Sequence, residues 1–409
     1  MKTIRFAVCG TGRRGTSLAK DTILALPDVE ICAVSDPYID KAEGCASAIE
    51  EKAGYRPNVY RDHVELFENE KPDAVFVATG WKEHAAVAIH AMEKGVAVAC
   101  EVGAAFSEDE CRKLIETYER TKTPFMLLEN CCFGREELLV TAMARDGRFG
   151  EIVYCHGAYM HDLREQVSHG ELRRHYRNGE YSTRNRDNYP THDLGPIAKL
   201  LGINRGNRMV SLSSRASKAR GIHDYIVRSE DEDIKYLASR EFAQGDIVET
   251  LITCENGELI NLRLDTTLPA YYSREFTVRG TRGLYKQDTN MAVFDGEDVD
   301  HGGKIEYMLR EINNAVKYHD EYLPDMWKNI TPEIEEAGHG GMDYFEFQVF
   351  CDCLRNGKEM PIDVYDAAAW MSISYLTEQS IAQGGASVDI PDFTNGKYKT
   401  RPLKDVVKL

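Results

Sequence analysis

Over residues 1–130, short apolar runs alternate with amphipathic stretches at the spacing of βαβ units. Ile4 to Cys9 is an apolar run, followed by glycine-rich punctuation and a helical pattern from about Ser17 to Ala25. Val29 to Ser35 is a second run ending in Asp36-Pro37, and helical spacing returns from Lys41 to Ala53. Ala74 to Ala78 is continuously apolar, as expected of a strand covered on both faces. A helix from Ala85 to Lys94 closes at Gly95, and Val96 to Cys100 reads as the next strand. Ser107 then precedes the acidic turn Glu108-Asp109-Glu110, the signature of a capped helix start, before a further strand from Phe125 to Leu128. This rhythm predicts a Rossmann-type, doubly wound parallel sheet.

The rhythm changes after residue 130. Glu137 to Ala144 looks helical and Ile152 to Tyr159 strand-like. Residues 164–190 are polar and arginine-rich and read as a long loop, a feature that needs a reason to exist. Asp246 to Cys254, Leu259 to Asp265 and Arg274 to Arg279 suggest antiparallel strands with turns such as Glu255-Asn256-Gly257. Helical patterns return at Asp343 to Leu354 and Val364 to Ile381, the late helices packing back near the first domain. The expected fold class is α/β: a Rossmann domain over 1–130 and an α+β domain over 131–409 with a mainly antiparallel open sheet. At roughly 150 residues per domain, 409 residues fit that division.

Composition narrows the partners. With 50 Lys and Arg against 67 Asp and Glu, the net charge of −17 disfavours nucleic acid and anionic membranes. No apolar run approaches the ~20 residues that span a bilayer. Met1-Lys2-Thr3 runs directly into the first strand, so no secretory leader is expected, and eleven cysteines, an odd number, sit mostly in apolar stretches. A reducing cytoplasm is the expected location.

Gly10-Thr11-Gly12-Arg13-Arg14-Gly15 is a GxGxxG directly after a strand and opening a helix. In that context Gly10 makes the tight turn, Gly12 admits a pyrophosphate and Gly15 lets helix pack on strand, with the helix N-terminus facing the phosphates. Asp36, 21 residues after Gly15, accepts both ribose hydroxyls and repels a 2′-phosphate, which favours NAD over NADP. Three further strand ends carry Thr79 to His84, Glu101-Val102-Gly103-Ala104 and Glu129-Asn130. There Trp81 reads either as core or as a nicotinamide contact, and His84 either as a helix cap or as part of the site.

In the second domain, Tyr189 and His192 stand three apart around Pro190 and Thr191. If a helix starts there, they share a face and suit proton transfer beside a nicotinamide, although an unaided YxxH is also an ordinary core pair. Arg164, Arg173, Arg174, Arg177, Arg184 and Arg186 read either as a solvated basic loop or as a clamp for an anionic group. No metal site is expected: His156 and His161 lack a third ligand, and Cys351 and Cys353 diverge on a helix. There is no nucleophile elbow and no phosphate-binding Walker loop.

The N-terminal fingerprint and the EVGA string at 101–104 resemble the Gfo/Idh/MocA sugar oxidoreductase superfamily. More narrowly, GAYMHDLR at 157–164, YPTH at 189–192 leading to GINRG at 202–206, DTTLP at 265–269, GHGGMD at 338–343, DCLRNG at 352–357 and DVYDAA at 363–368 resemble the NAD-dependent glycoside hydrolases of family 109. The resemblance implies a redox route to hydrolysis that departs from the two-carboxylate scheme. Tightly held NAD takes a hydride from C3 of the sugar, the 3-keto group acidifies the C2 hydrogen, a base removes it, the aglycone leaves C1, water adds, and the hydride returns. The substrate would be a small hexoside, an N-acetylgalactosaminide being one candidate, and the protein a homo-oligomer, dimer or tetramer.

Carried over by motif, Arg14 and Asp36 belong to the adenosine side, and Trp81 to His84, Glu101 and Asn130 to the nicotinamide side. The cofactor set is Gly10, Gly12, Arg13, Arg14, Gly15, Asp36, Thr79, Trp81, His84, Glu101, Val102, Asn130 and Tyr189. The sugar set is Tyr159, Arg177, Tyr189, Pro190, Thr191, His192 and Tyr272. His192 is the expected base for the C3 hydroxyl and Tyr189 the C2 base or acid, roles that can be exchanged. Val102 replaces the lysine that many superfamily dehydrogenases carry after this glutamate, and Gly80 and Gly103 stand where the family commonly has proline. A sugar or sugar-alcohol dehydrogenase, and an inactive nicotinamide-sensing protein, are the alternative functions.

Overall fold

Six parallel strands make the first sheet: β1 (Ile4–Cys9), β2 (Val29–Ser35), β3 (Asn58–Tyr60), β4 (Ala74–Val77), β5 (Ala97–Glu101) and β6 (Phe125–Leu128). Their order, β3-β2-β1-β4-β5-β6, reverses direction between β1 and β4, the switch point at which such sheets open a crevice at their carboxyl ends. Every residue of β4 and β5 is buried, which is why their sequences are unbroken apolar runs. Ser107 caps the helix Glu108–Thr121 in a reciprocal pairing with Glu110, as its sequence predicts.

The structure, a computed structural model, describes residues 3–103, 105–297 and 303–409. Met1, Lys2 and Ala104, all used in the sequence reading, lie outside the described residues. The chain divides into two units, the first comprising Met1–Phe133, Asp325–Met371 and Asp405–Val407. It differs from a single cut after residue 130 because the helix Met342–Asn356 belongs to it. Phe347 and Phe350 of that helix lie against Phe6 of β1 at 6.5 and 5.9 Å between ring centroids, and Phe347 lies 5.2 Å from Phe76 of β4. Such aromatic contacts bury large apolar areas and fix a helix on a sheet.

The second unit comprises Gly134–Pro324, Ser372–Lys404 and Lys408–Leu409. Its sheet runs through β7 (Ile152–Met160), β8 (Met209–Ala216), β9 (Ile247–Cys254), β10 (Leu259–Asp265), β11 (Thr277–Gly280), β12 (Gly283–Lys286), β13 (Met291–Phe294) and β14 (Val388–Asp389). The order is β13-β12-β11-β7-β10-β9-β8-β14. All neighbours are antiparallel except β7 and β10, which run parallel. Along β9 buried positions alternate with more exposed ones, the pattern of a sheet covered on one face.

Residues 164–190 are not a bare loop. They hold the short helices Arg164–Ser168 and Arg177–Thr183, and four of their arginines pair with carboxylates. Arg164 pairs with Asp162 at 2.6 Å, Arg173 with Glu165 at 2.5 Å, Arg186 with Glu180 at 2.8 Å, and Arg184 with Glu378. Of the two readings of this segment, the pairing supplies a local structural role for these charges. Among the described residues, no helix is long and apolar enough to cross a membrane. All eleven cysteines are free thiols, and burial pushes Cys9 up to about 12.

Candidate active site

In the first unit the glycine loop follows β1 at the sheet's carboxyl edge. A Cβ on Gly10, which has φ +93°, would lie 2.4 Å from the backbone of Ala78 and Thr79. A Cβ on Gly15 would lie 2.0 Å from the Gly10 carbonyl oxygen. Both glycines are therefore fixed by close backbone approach. Gly12 differs: nothing stands within 4 Å of its Cβ position, so the loop leaves an open cradle there. Asp36, buried just past β2, accepts from the Thr11 amide at 2.9 Å and hydroxyl at 3.2 Å through Oδ2, and from the Tyr38 amide at 2.9 Å through Oδ1. These bonds hold its carboxylate at the edge of the loop.

Arg13 is exposed, whereas Arg14 reaches along the carboxyl edge and gathers a polar cluster. Its Nε donates to Glu101 Oε1 at 2.8 Å, and its two terminal nitrogens donate to the Asp343 carboxylate at 2.8 and 2.9 Å. Asn130 Nδ2 donates to Asp343 Oδ1 at 2.7 Å, and His339 Nδ1 lies 2.9 Å from Asp343 Oδ2. Arg14 is thus brought together with Glu101 and Asn130, the expected nicotinamide-side residues, and not with Asp36. Burial opposes ionisation of Asp343, but hydrogen bonds from His339 and Arg14 outweigh it and hold this carboxyl below the usual carboxylate range. One turn on, Glu346 is fully buried with neither oxygen hydrogen-bonded, and burial, with repulsion from Asp343 and Glu101, pushes it well above the usual range.

Trp81 and His84 open the helix Trp81–Glu93 and are both buried. A Cβ on Gly103 would come within 2.8 Å of the His84 ring and 2.9 Å of the Trp81 ring, so this chain's glycine at 103 is what admits the two aromatics. Burial pushes His84 down to about 4, leaving it neutral with Nε2 bonded to the Thr79 carbonyl at 3.0 Å. Its Nδ1 and the Thr79 hydroxyl are buried without partners, and Val102 is buried behind β5. Orphaned polar atoms at the end of β4, an open cradle at Gly12 and a fixed carboxylate after β2 form a donor and acceptor set that fits a dinucleotide.

In the second unit the helix Thr191–Leu200 starts after Pro190, so Tyr189 and His192 sit at its mouth. Their rings stand 4.8 Å apart at 86°, and Tyr159 of β7 lies 4.6 Å from Tyr189 and 5.5 Å from His192. Tyr272 joins at 6.4 Å from Tyr159, while the Arg177 guanidinium lies 5.2 Å from the Tyr189 ring centre. Five expected sugar-side residues therefore converge, and buried Pro190 and Thr191 complete the turn that presents them. Tyr189, assigned by sequence to cofactor and sugar alike, belongs to this second unit. Asp187 is fully buried, accepts from the Tyr189 amide at 3.2 Å, and is pushed up by burial to about 7.

A family model described as oxidoreductase family, NAD-binding Rossmann fold, matches residues 4–128. One described as glycosyl hydrolase 109, C-terminal domain, matches residues 133–400. A glycosyl hydrolase family 109 protein of Stenotrophomonas maltophilia (strain K279a) is 38% identical over 98% of this chain and 91% of its own length. The chain belongs to glycosyl hydrolase family 109. A relative named alpha-N-acetylgalactosaminidase, from Tannerella forsythia, is 37% identical over 97% of this chain and 87% of its own length. In fold the chain is similar to the apo scyllo-inositol dehydrogenase of Lactobacillus casei, with TM-score 0.68 at 14% identity over 95% of this chain and 98% of that one. The myo-inositol dehydrogenase of the same organism, solved with NAD(H) and myo-inositol, gives 0.65 at 15% identity over 96% and 99%.

Within this family-109 chain the structure adds residues to which sequence reasoning gave no role. His161 lies 3.3 Å from the Tyr159 hydroxyl and 5.3 Å from the Tyr272 ring, and its position two residues after Tyr159, on the same side of an extended strand, was the available signal. Arg274 bonds Tyr272 at 3.5 Å and is itself paired with buried Glu137 at 2.5 Å. His339 and Asp343 lie in the GHGGMD string, which marked the family but named no contact.

Proposed function

We propose that the chain is an NAD-dependent glycosidase that cleaves a small hexoside, first of all an N-acetylgalactosaminide, through transient oxidation at C3. The observation that carries the reading is the phenol–imidazole pair of Tyr189 and His192, ringed by Tyr159, Arg177 and Tyr272, in a chain that also builds a dinucleotide loop. The relative named alpha-N-acetylgalactosaminidase supports the choice of sugar. Gly10 to Gly15, Asp36, Thr79, Glu101 and Asn130 would hold the dinucleotide.

Nicotinamide, when bound, supplies reversible acceptance of the C3 hydride. His192 takes the proton of the C3 hydroxyl as that carbon is oxidised. The ketone so formed acidifies C2–H, and Tyr189 removes that proton while the bond from C1 to the aglycone breaks. Water then adds its oxygen to C1 while its proton goes to the departed aglycone oxygen, Tyr189 returns a proton to C2, and His192 returns one to the C3 oxygen on re-reduction, so no net oxidant is consumed. The Arg177 cation over the Tyr189 ring stabilises negative charge developing on the phenol oxygen, and the buried faces of Tyr159 and Tyr189 limit water around the reacting carbons.

The test is turnover of nitrophenyl N-acetylgalactosaminides by purified protein without added cofactor. The reading expects many equivalents of nitrophenol per protein and no accumulating NADH. Stoichiometric NADH with added NAD+ and no aglycone release would establish a dehydrogenase instead.

A further inference from the structure

The segment that delivers Tyr189 to its neighbours is held by side chains from three other parts of the second unit. Arg186 is fully buried and pairs with Glu180 at 2.8 Å, and its carbonyl oxygen accepts from Gln244 Nε2 at 2.9 Å. Asn188 Nδ2 donates to Gln244 Oε1 at 3.1 Å. Between them the Asp187 amide donates to Thr377 Oγ1 at 3.0 Å, and Thr377 Oγ1 donates onward to the Ser374 carbonyl oxygen at 2.9 Å. These are buried polar groups, so each bond broken leaves a donor or acceptor unpaired away from water.

At the end of this clamp one side chain reaches Tyr189 itself. Asp187 Oδ1 accepts from the Tyr189 amide at 3.2 Å, an aspartate turn onto the backbone two residues on. Pro190 disfavours helical backbone at Tyr189, so the amide bond adds a second restraint on where the ring's stem enters the pocket. The ring is bounded sideways by Tyr159 at 4.6 Å, His192 at 4.8 Å and the Arg177 guanidinium at 5.2 Å. Asp187 Oδ2, in contrast, is buried without a hydrogen-bond partner. Burial pushes this carboxyl up to about 7, against the Tyr189 amide bond and the Arg186 charge, which pull it down. A carboxyl in so unfavourable a site, with one oxygen idle and the other on the Tyr189 amide, has that amide as its task.

We propose that Asp187 is a positioning residue for Tyr189: through its bond to the Tyr189 amide it fixes the depth at which the phenol meets C2 of the sugar. This rests on the reading of Tyr189 as the C2 base and deepens it. A shift of the phenol by about 1 Å misaligns it with the C2–H bond and costs up to about 10²-fold in rate. The contacts that hold the sugar elsewhere stay as they are, so the loss falls on kcat.

The test is steady-state kinetics on full-length Asp187→Ala and Asp187→Asn, using nitrophenyl N-acetylgalactosaminides with hydrogen or deuterium at C2 or at C3, and thermal melting to confirm the fold. Asp187→Ala is expected to lower kcat about ten- to hundredfold with KM near the wild-type value. Its C2 deuterium isotope effect on kcat stays at or above that of the wild type, while the C3 effect does not rise. Asp187→Asn, which keeps the Oδ1 acceptor, retains most of kcat. Thr377→Val removes the acceptor of the Asp187 amide and carries the same test if the alanine variant is unfolded at assay temperature, with a smaller loss of kcat expected. An unchanged kcat, a loss confined to KM, an asparagine variant as slow as the alanine one, or a C3 isotope effect that rises instead overturns the positioning role, while wild-type turnover leaves the glycosidase reading standing. A wild type that releases no nitrophenol overturns both readings together.

Discussion

Replacing His192 by alanine lowers turnover of the glycoside by about 10²- to 10⁴-fold, the usual range for removing a general acid–base group. The size follows from its position: His192 stands at the mouth of the helix Thr191–Leu200 with its ring 4.8 Å from Tyr189 and 5.5 Å from Tyr159. Its side chain is only partly buried, so truncation removes a proton carrier without opening a large core cavity. Steady-state kinetics should show the loss chiefly in kcat, with bound NAD and melting temperature close to those of the wild type. Undiminished turnover in His192→Ala would remove it from the mechanism.

The second large effect is structural. Gly15→Ala places a methyl 2.0 Å from the Gly10 carbonyl oxygen, which is backbone and has no rotamer into which to retreat. The loop must move, at a cost of about 1–3 kcal/mol by analogy with overpacked cores, and the cradle for the dinucleotide moves with it. Gly12→Ala is the informative contrast, because its methyl enters open space. Thermal melting and NAD content should therefore separate the two: Gly15→Ala loses stability and cofactor, Gly12→Ala loses cofactor while melting near the wild type. Equal melting temperatures for Gly15→Ala and the wild type would contradict the packing argument.

Much of this was legible in the chain because it rests on local rules. Fully buried parallel strands impose unbroken apolar runs, so β4 and β5 announced themselves, and the N-cap at Ser107 fixed a helix start. Tyr189 and His192 were visible as a spacing, and the family resemblance added Tyr159, Arg177 and Tyr272, which the fold does gather. What stayed hidden depends on distant pairings. The docking of Phe347 and Phe350 on the first sheet follows from side-chain fit, which an apolar stripe does not encode. For the same reason Arg14, read as an adenosine contact, turns out to bind Asp343, 329 positions away. The arginines of 164–186 left two readings open, a solvated basic loop or an anion clamp; Asp162, Glu165 and Glu180 are local partners, whereas Glu378, the partner of Arg184, is remote in sequence.

The central claim is that the glycosidic bond is cleaved by elimination and not by displacement at C1. The direct measurement is to run the hydrolysis in deuterium oxide and examine C2 of the released sugar by NMR and mass spectrometry. Removal of the C2 proton by Tyr189 and its later return through solvent-exchanging groups predict deuterium at C2 in the released sugar. Complete cleavage with the original hydrogen retained at C2 would contradict the account.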